Sequence, residues 1–115
     1  MEARTGGSRH LRVEVQRGEK CLVRLVGELD LATEDALPQT VKGLLAERAC
    51  DIVLDLSGLL FGDVRGLRSI VRSSALVSEQ GHAMRIVGAP KMVREILRLT
   101  RDGQDLKLDE IPRGT

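Results

Sequence analysis

Two acidic residues, Asp30 and Asp63, stand in glycine-bearing stretches between predicted strands and helices, and these stretches hold most of the chain's candidates for chemistry. The first runs Gly27-Glu28-Leu29-Asp30-Leu31-Ala32-Thr33. The second runs Ser57-Gly58-Leu59-Leu60-Phe61-Gly62-Asp63-Val64-Arg65-Gly66. A carboxylate in such a place can do one of two jobs. It can cap the following helix by accepting from a backbone N–H, worth about 1 kcal/mol, or it can present charge to a partner. Asp63 has the N–H groups of Arg65 and Gly66 within capping reach, and Asp30 reads also as a turn-former. Gly66 permits either the close approach of a partner or tight packing of helix on strand. Beyond it, Arg65, Arg68 and Arg72 line one side of a helix opposite Leu67, Ile70, Val71 and Ser74. Such a stripe is either a solvated face or a basic edge suited to an acidic partner.

Catalytic chemistry finds little footing. No nucleophile–base pair stands out, and Gly62-Asp63-Val64-Arg65-Gly66 lacks the Lys-Ser/Thr of a phosphate-binding loop, so a small nucleotide-binding enzyme is the weakest of the readings. His10 sits in a flexible start and His82 in a Gly81-His82 turn, both read as solvent-exposed. Without Cys-x-x-Cys or His-x-x-x-His spacing, no metal or other cofactor is expected. Cys21 and Cys50 share the parity of Val23 and Ile52, which places both toward the helices at the amino ends of neighbouring strands. Buried, inert thiols are the preferred reading over a redox disulfide.

Charge and composition narrow the partners. Lys plus Arg (18) nearly balances Asp plus Glu (17), so no overall field favours nucleic acid or an anionic membrane. A single Phe, with no Tyr or Trp, removes the stacking platforms used by single-stranded nucleic acid. No segment reaches the apolar length of a membrane span and no apolar leader opens the chain, so a cytoplasmic protein with reduced thiols is expected.

The elements that position these residues follow from periodicity. Leu11, Val13 and Val15 alternate with polar residues, and Cys21 to Leu25 follows a Gly18 turn, which predicts an antiparallel hairpin. Thr33 is placed to cap a helix with Glu34 and Asp35 in its first turn. Pro38 pushes the regular helix toward Leu37. A third strand is expected over Asp51–Leu56, a helix over Asp63–Ser78, a strand over Ala83–Val87, a helix over Pro90–Thr100 and a last strand near Leu106–Leu108. The order β-β-α-β-α-β-α-β calls for parallel strands joined by helical crossovers. Ile52, Leu54, Met84, Ile86, Leu106 and Leu108 mark one buried face, while Arg24, Arg85 and Lys107 interrupt the other. A sheet covered on both faces tolerates such cations poorly, and right-handed crossovers in monotone order put every helix on one side. The expected fold is therefore α/β: an open-faced, mostly parallel mixed sheet of about five strands with helices on one side. Residues 1–9 read as a disordered lead-in, 10–110 as one domain and 111–115 as a short tail.

Taken in order, several segments resemble the STAS domain family of anti-sigma factor antagonists. Val26-Gly27-Glu28-Leu29-Asp30-Leu31-Ala32-Thr33 resembles the family's approach to its first helix. Ile52-Val53-Leu54-Asp55-Leu56-Ser57-Gly58-Leu59, then Phe61 and Asp63-x-x-Gly66-Leu67, resembles its central signature, and the Leu-rich run from Arg94 to Thr100 its last helix. The resemblance covers roughly residues 10–109. It implies a non-enzymatic module that binds an anti-sigma factor with a kinase-like ATPase fold and so regulates sigma-dependent transcription. An alternative within the family is a regulatory subunit of another assembly, such as an ABC transporter or a stress-signalling complex. Many members are switched by phosphorylation of a serine directly after the aspartate of Asp-Ser-x-Gly. Here Val64 occupies that position, and valine has no hydroxyl to accept a phosphoryl group. Ser57 and Ser69 are the nearest hydroxyls. Because open α/β sheets bind at strand carboxyl ends, the expected contact patch is Asp30, Ser57, Asp63, Val64, Arg65, Gly66, Arg68 and Arg72.

Overall fold

A computed structural model describes residues 3–6, 10–99 and 107–108. Strand β2 (Leu11–Gln16) and strand β3 (Cys21–Leu29) form the expected hairpin, with Val13 opposite Leu25 and Val15 opposite Val23. Leu11, Val13, Val15, Val23 and Leu25 are all buried, so alternation places one side of each strand in the core. Ahead of the hairpin, Ala3–Gly6 forms an edge strand, β1, antiparallel to β2. Of the lead-in expected to be disordered, residues 3–6 are thus a strand, and the rest lies outside the described residues. Strand pairing runs through backbone groups, and Ala-Arg-Thr-Gly carries no apolar alternation by which to announce itself.

The remaining strands are parallel. β4 (Ile52–Gly62) lies beside β3, β5 (Met84–Val87) beside β4, and β6 (Lys107–Leu108) beside β5. Sheet order is monotone, β1-β2-β3-β4-β5-β6, one strand more than the five expected. Leu106 and the tail 111–115 lie outside the described residues, as does the side chain of Leu108. Three helices connect the parallel strands: α1 (Ala36–Glu47), α2 (Val64–Glu79) and α3 (Lys91–Leu99). α1 packs against α2, and α2 against α3. Ile52, Leu54, Met84 and Ile86 are buried beneath them while Arg24 and Arg85 stay exposed. One face is covered and one is open, as the mid-strand cations require.

The open face is a charge ladder. Arg12 contacts Glu14 at 2.8 Å, and Arg24 bridges Glu14 and Asp55, each at 3.8 Å, across β2, β3 and β4. Exposed pairs of this kind contribute about 0–1 kcal/mol each. Their larger effect is to keep the uncovered face polar.

Three local departures have identifiable causes. α1 begins at Ala36, so Pro38 falls in its first turn, where no intrahelical N–H is needed and the ring fits. Thr33 does not cap α1. It closes a separate 3-10 turn, Leu31–Thr33. The third departure is in β4, which continues through Gly62 where a loop was expected from Ser57 onward. Between the pairs Arg24–Asp55 and Val26–Gly58, β3 advances two residues and β4 three. Between Gly27–Leu59 and Glu28–Phe61, β3 advances one and β4 two. Each shift is a bulge with one extra β4 residue. The two bulges scramble the period-2 signal over Ser57–Gly62, and the glycines there completed the disguise.

Candidate functional site

The carboxyl ends of β3 and β4 are held together by backbone. The Asp63 N–H donates to the Leu29 carbonyl at 3.2 Å, tying the start of α2 to the end of β3. The Asp63 side chain accepts from the Gly66 N–H at 2.7 Å, and its carbonyl accepts from the Leu67 N–H at 2.8 Å. Asp63 is a complete N-cap. Asp30 is used in the same way one strand over. It accepts from the Thr33 N–H at 3.2 Å, while the Thr33 hydroxyl accepts from the Asp30 N–H at 2.9 Å. The buried Thr33 hydroxyl in turn donates to the Glu28 carbonyl, also at 2.9 Å. Both acids are therefore committed to shaping the edge.

Gly66 belongs behind this surface. It is buried, and a Cβ there would lie 2.1 Å from the Leu29 carbonyl oxygen and 2.5 Å from the Asp30 nitrogen. Of its two sequence readings, packing of helix on strand is the one realised, which removes Gly66 from the expected contact patch. A similar demand falls on Gly27, with φ +119° and a Cβ position 2.2 Å from the His10 carbonyl oxygen.

The arginine stripe is real, and two of its three cations are paired. Arg65 reaches Glu34 at 3.7 Å and Arg72 reaches Asp35 at 3.4 Å, so the acids ahead of α1 pair with the cations of α2. Arg68 is exposed and makes no ion pair among the described residues. Ser57 is exposed too, its N–H donating to Asp55 at 2.8 Å. It lies against Gly88, the residue directly after β5, and so stands at the carboxyl end of that strand, six residues ahead of Asp63 in the chain. Ser69 is fully buried and its hydroxyl donates to the Gly66 carbonyl at 2.6 Å. On α2, Ser69 and Ser73 face the core with Leu67 and Ile70, whereas Val71 and Ser74 are only half-buried.

What sequence reasoning missed is apolar: Leu31, Leu60 and Met92 are exposed like Val64, which alone of the four stood in the expected patch. Leu31 is 55% exposed, Leu60 81%, Val64 49% and Met92 55%. Leu31 follows β3, Leu60 lies near the end of β4, Val64 opens α2, and Met92 stands in the first turn after β5. Leu31, Leu60 and Val64 stand around the carboxyl ends of β3 and β4, while Met92 follows β5, whose last pair, Asp55–Val87, falls seven residues before β4 ends. Helical spacing could have exposed Met92, because Val93 and Leu97 claim the inward stripe of α3. Leu60 was hidden by the second bulge.

Residues 13–108, most of the chain, match the family model described as Mlab, STAS domain. The chain belongs to the STAS domain family. Among its curated relatives is an anti-sigma F factor antagonist of Paenibacillus polymyxa, 31% identical over 93 residues, which cover 79% of this chain and 80% of that protein. A solved anti-sigma factor antagonist from Mycobacterium paratuberculosis superposes with a TM-score of 0.70 at 22% identity, covering 89% of this chain and 88% of the other. The unphosphorylated form of the antagonist SpoIIAA gives 0.66 at 14% identity, covering 90% and 91%. These two structures share the fold. Among the described residues of this STAS domain, no helix is long and apolar enough to cross a membrane.

Proposed function

We propose that the chain is an anti-sigma factor antagonist that engages an anti-sigma factor through the carboxyl edge of its sheet, without the phosphoserine switch of many relatives. The observation that carries this reading is the first turn of α2. Val64 is half exposed directly after the capping Asp63, at the position where the family resemblance puts a phosphorylatable serine. The 31% likeness to an anti-sigma F factor antagonist supports the partner class. The exposed Leu31, Leu60, Val64 and Met92 support an apolar centre for the contact, with Arg65, Arg68 and Arg72 as a polar rim. Of the two neighbouring hydroxyls, Ser69 is enclosed in the core and Ser57 is exposed, so Ser57 is the one a relocated switch would have to use.

The test is binding of the full chain to the anti-sigma factors of its own genome, by calorimetry, followed by incubation with ATP and mapping of phosphate by mass spectrometry. Wild type is expected to bind one of them and acquire no phosphate, while Val64→Ser is modified at residue 64 by a kinase-competent partner. Failure to bind any of them, with capture of a transporter ATPase instead, would replace the proposal with the regulatory-subunit reading. Near-stoichiometric phosphate on wild-type Ser57 would overturn the unswitched part alone.

A further inference from the structure

At the opposite end of the sheet the two cysteines meet. Cys21 opens β3, and Cys50 lies two residues before β4 begins. Their Sγ atoms are 3.3 Å apart, and both side chains are buried. The backbone fixes this approach, because the Cys21 N–H donates to the Asp51 carbonyl at 3.0 Å and Cys21 pairs with Ile52 in the parallel register. Two sulfurs so held need to close by only about 1.3 Å to reach the disulfide bond length of ~2.05 Å. A metal bridge fits less well. Tetrahedral zinc with bonds of ~2.3 Å sets its sulfurs about 3.8 Å apart and calls for four ligands. Among the described residues, no group of three His, Cys, Asp or Glu could hold a metal ion.

We propose that Cys21 and Cys50 form a dithiol site that hydrogen peroxide converts to an intrachain disulfide, reversible by a thiol reductant. In the first step one sulfur, as thiolate, attacks a peroxide oxygen. The O–O bond breaks, hydroxide leaves and takes up the thiol's proton as water, and a sulfenic acid remains. In the second step the neighbouring sulfur attacks the sulfenic sulfur, the S–O bond breaks, and the hydroxyl leaves with the second thiol's proton as another water. One peroxide and two thiols thus give one disulfide and two waters. Burial raises the Cys50 thiol above its ordinary range, with the Cys21 hydrogen bond adding to the effect, so the first step is slow. The second step is intramolecular between atoms already in contact and is fast by comparison. The sulfenic acid is therefore intercepted before a second peroxide can carry it to the sulfinic acid.

The bond would staple the amino ends of β3 and β4 and close the segment that carries Asp30, the Leu31–Thr33 turn and α1. The site does not depend on the proposed partner. Its test is treatment of the folded full chain with hydrogen peroxide, alkylation, and intact and non-reducing peptide mass spectrometry. The expected product has lost two hydrogens, resists alkylation at both positions and yields a peptide pair linking Cys21 to Cys50 that a thiol reductant restores. Cys50→Ser is expected to stop at a Cys21 sulfenic acid that a 1,3-diketone traps. Should that variant fail to fold, the wild-type products decide the matter. Disulfide-linked dimers, sulfinic acids without the linked pair, or two unmodified thiols in the folded chain would each overturn the proposal.

Discussion

At the amino end of the sheet, polar groups and sulfurs answer one another: Cys21 meets Cys50, His82 meets Asp51 at 3.1 Å, Arg17 pairs with Glu47, and Arg48 donates to the Gly18 carbonyl. Toward the carboxyl end, the two aspartates are equally occupied, but by the chain's own backbone, and four large apolar side chains are left facing solvent. Only one other large exposed apolar residue occurs among those described, Leu99, the final residue of α3. The contrast teaches that charge and hydrogen-bonding capacity do not separate the two ends. Exposed large apolar side chains do.

The comparison is broken most severely at Gly66. Substituting Gly66→Ala drives a methyl group into the Leu29 backbone, where no side-chain rotation relieves the clash. Urea unfolding is expected to show a loss of about 3 kcal/mol or more, or failure to fold. A loss below about 1 kcal/mol would mean that α2 can lift from β3 at little cost and that the edge is not rigidly built.

Next come the exposed apolar residues around the ends of β3 and β4. Leu60→Asp combined with Val64→Asp is expected to lower affinity for the proposed anti-sigma partner by at least tenfold, about 1.4 kcal/mol, with the unfolding midpoint little changed. Glu79→Lys, an exposed reversal at the far end of α2, is the control and should bind as wild type. Loss of binding in the control alone would transfer the interface to the amino end.

How much of this was legible beforehand depended on whether a signal was periodic. Val13, Val23, Leu54 and Ile86 declared the buried face by strict alternation, and Arg24 with Arg85 declared the open one, so the layer arrangement followed. The capping role of Asp63 was readable because Gly66 stands three residues on. Leu60 was not, since the extra residues in β4 shift parity twice within a few positions and a one-residue shift turns a side chain to the other face. Thr33 misled for a different reason. A Thr ahead of acidic residues fits a helix cap, and the equally local Asp30-x-x-Thr33 spacing fits the close of the preceding turn, which is the one realised. The pairing of Arg65 and Arg72 with Glu34 and Asp35 depends on α1 lying beside α2, which no local pattern encodes.

Acidity sharpens the amino-end half of the comparison. The Ala83 N–H, followed by His82, holds the Asp51 carboxyl below its ordinary value of 3.8. A depressed folded-state value means that Asp51 contributes stability above the unfolded pKa, and that this is lost as pH falls from about 3.8 through the lower folded value. Thermal melts of wild type and Asp51→Asn should therefore differ at neutral pH and converge as the medium becomes more acidic than that. A gap that persists unchanged into strong acid would show that the carboxylate charge is not what Ala83 and His82 recognise.

The smallest effect is expected for the stripe on α2. A double-mutant cycle between Arg72→Ala and Asp35→Ala should return a coupling of only about 0–1 kcal/mol, because both side chains are more than half exposed. A coupling above about 2 kcal/mol would make the α1–α2 ion pairs structural in their own right.

The cap at Asp63 has one more consequence, for how such a module can change over generations. Because the backbone at the start of α2 is held by residues 63, 66 and 29, the identity of residue 64 is nearly free of the fold. An exposed substitution there shifts stability by about 0.5 kcal/mol or less. Whether the edge carries a hydroxyl, a methyl pair or a charge is thus a choice a lineage can revise with a single replacement. Responsiveness can be gained or surrendered while the architecture is inherited intact.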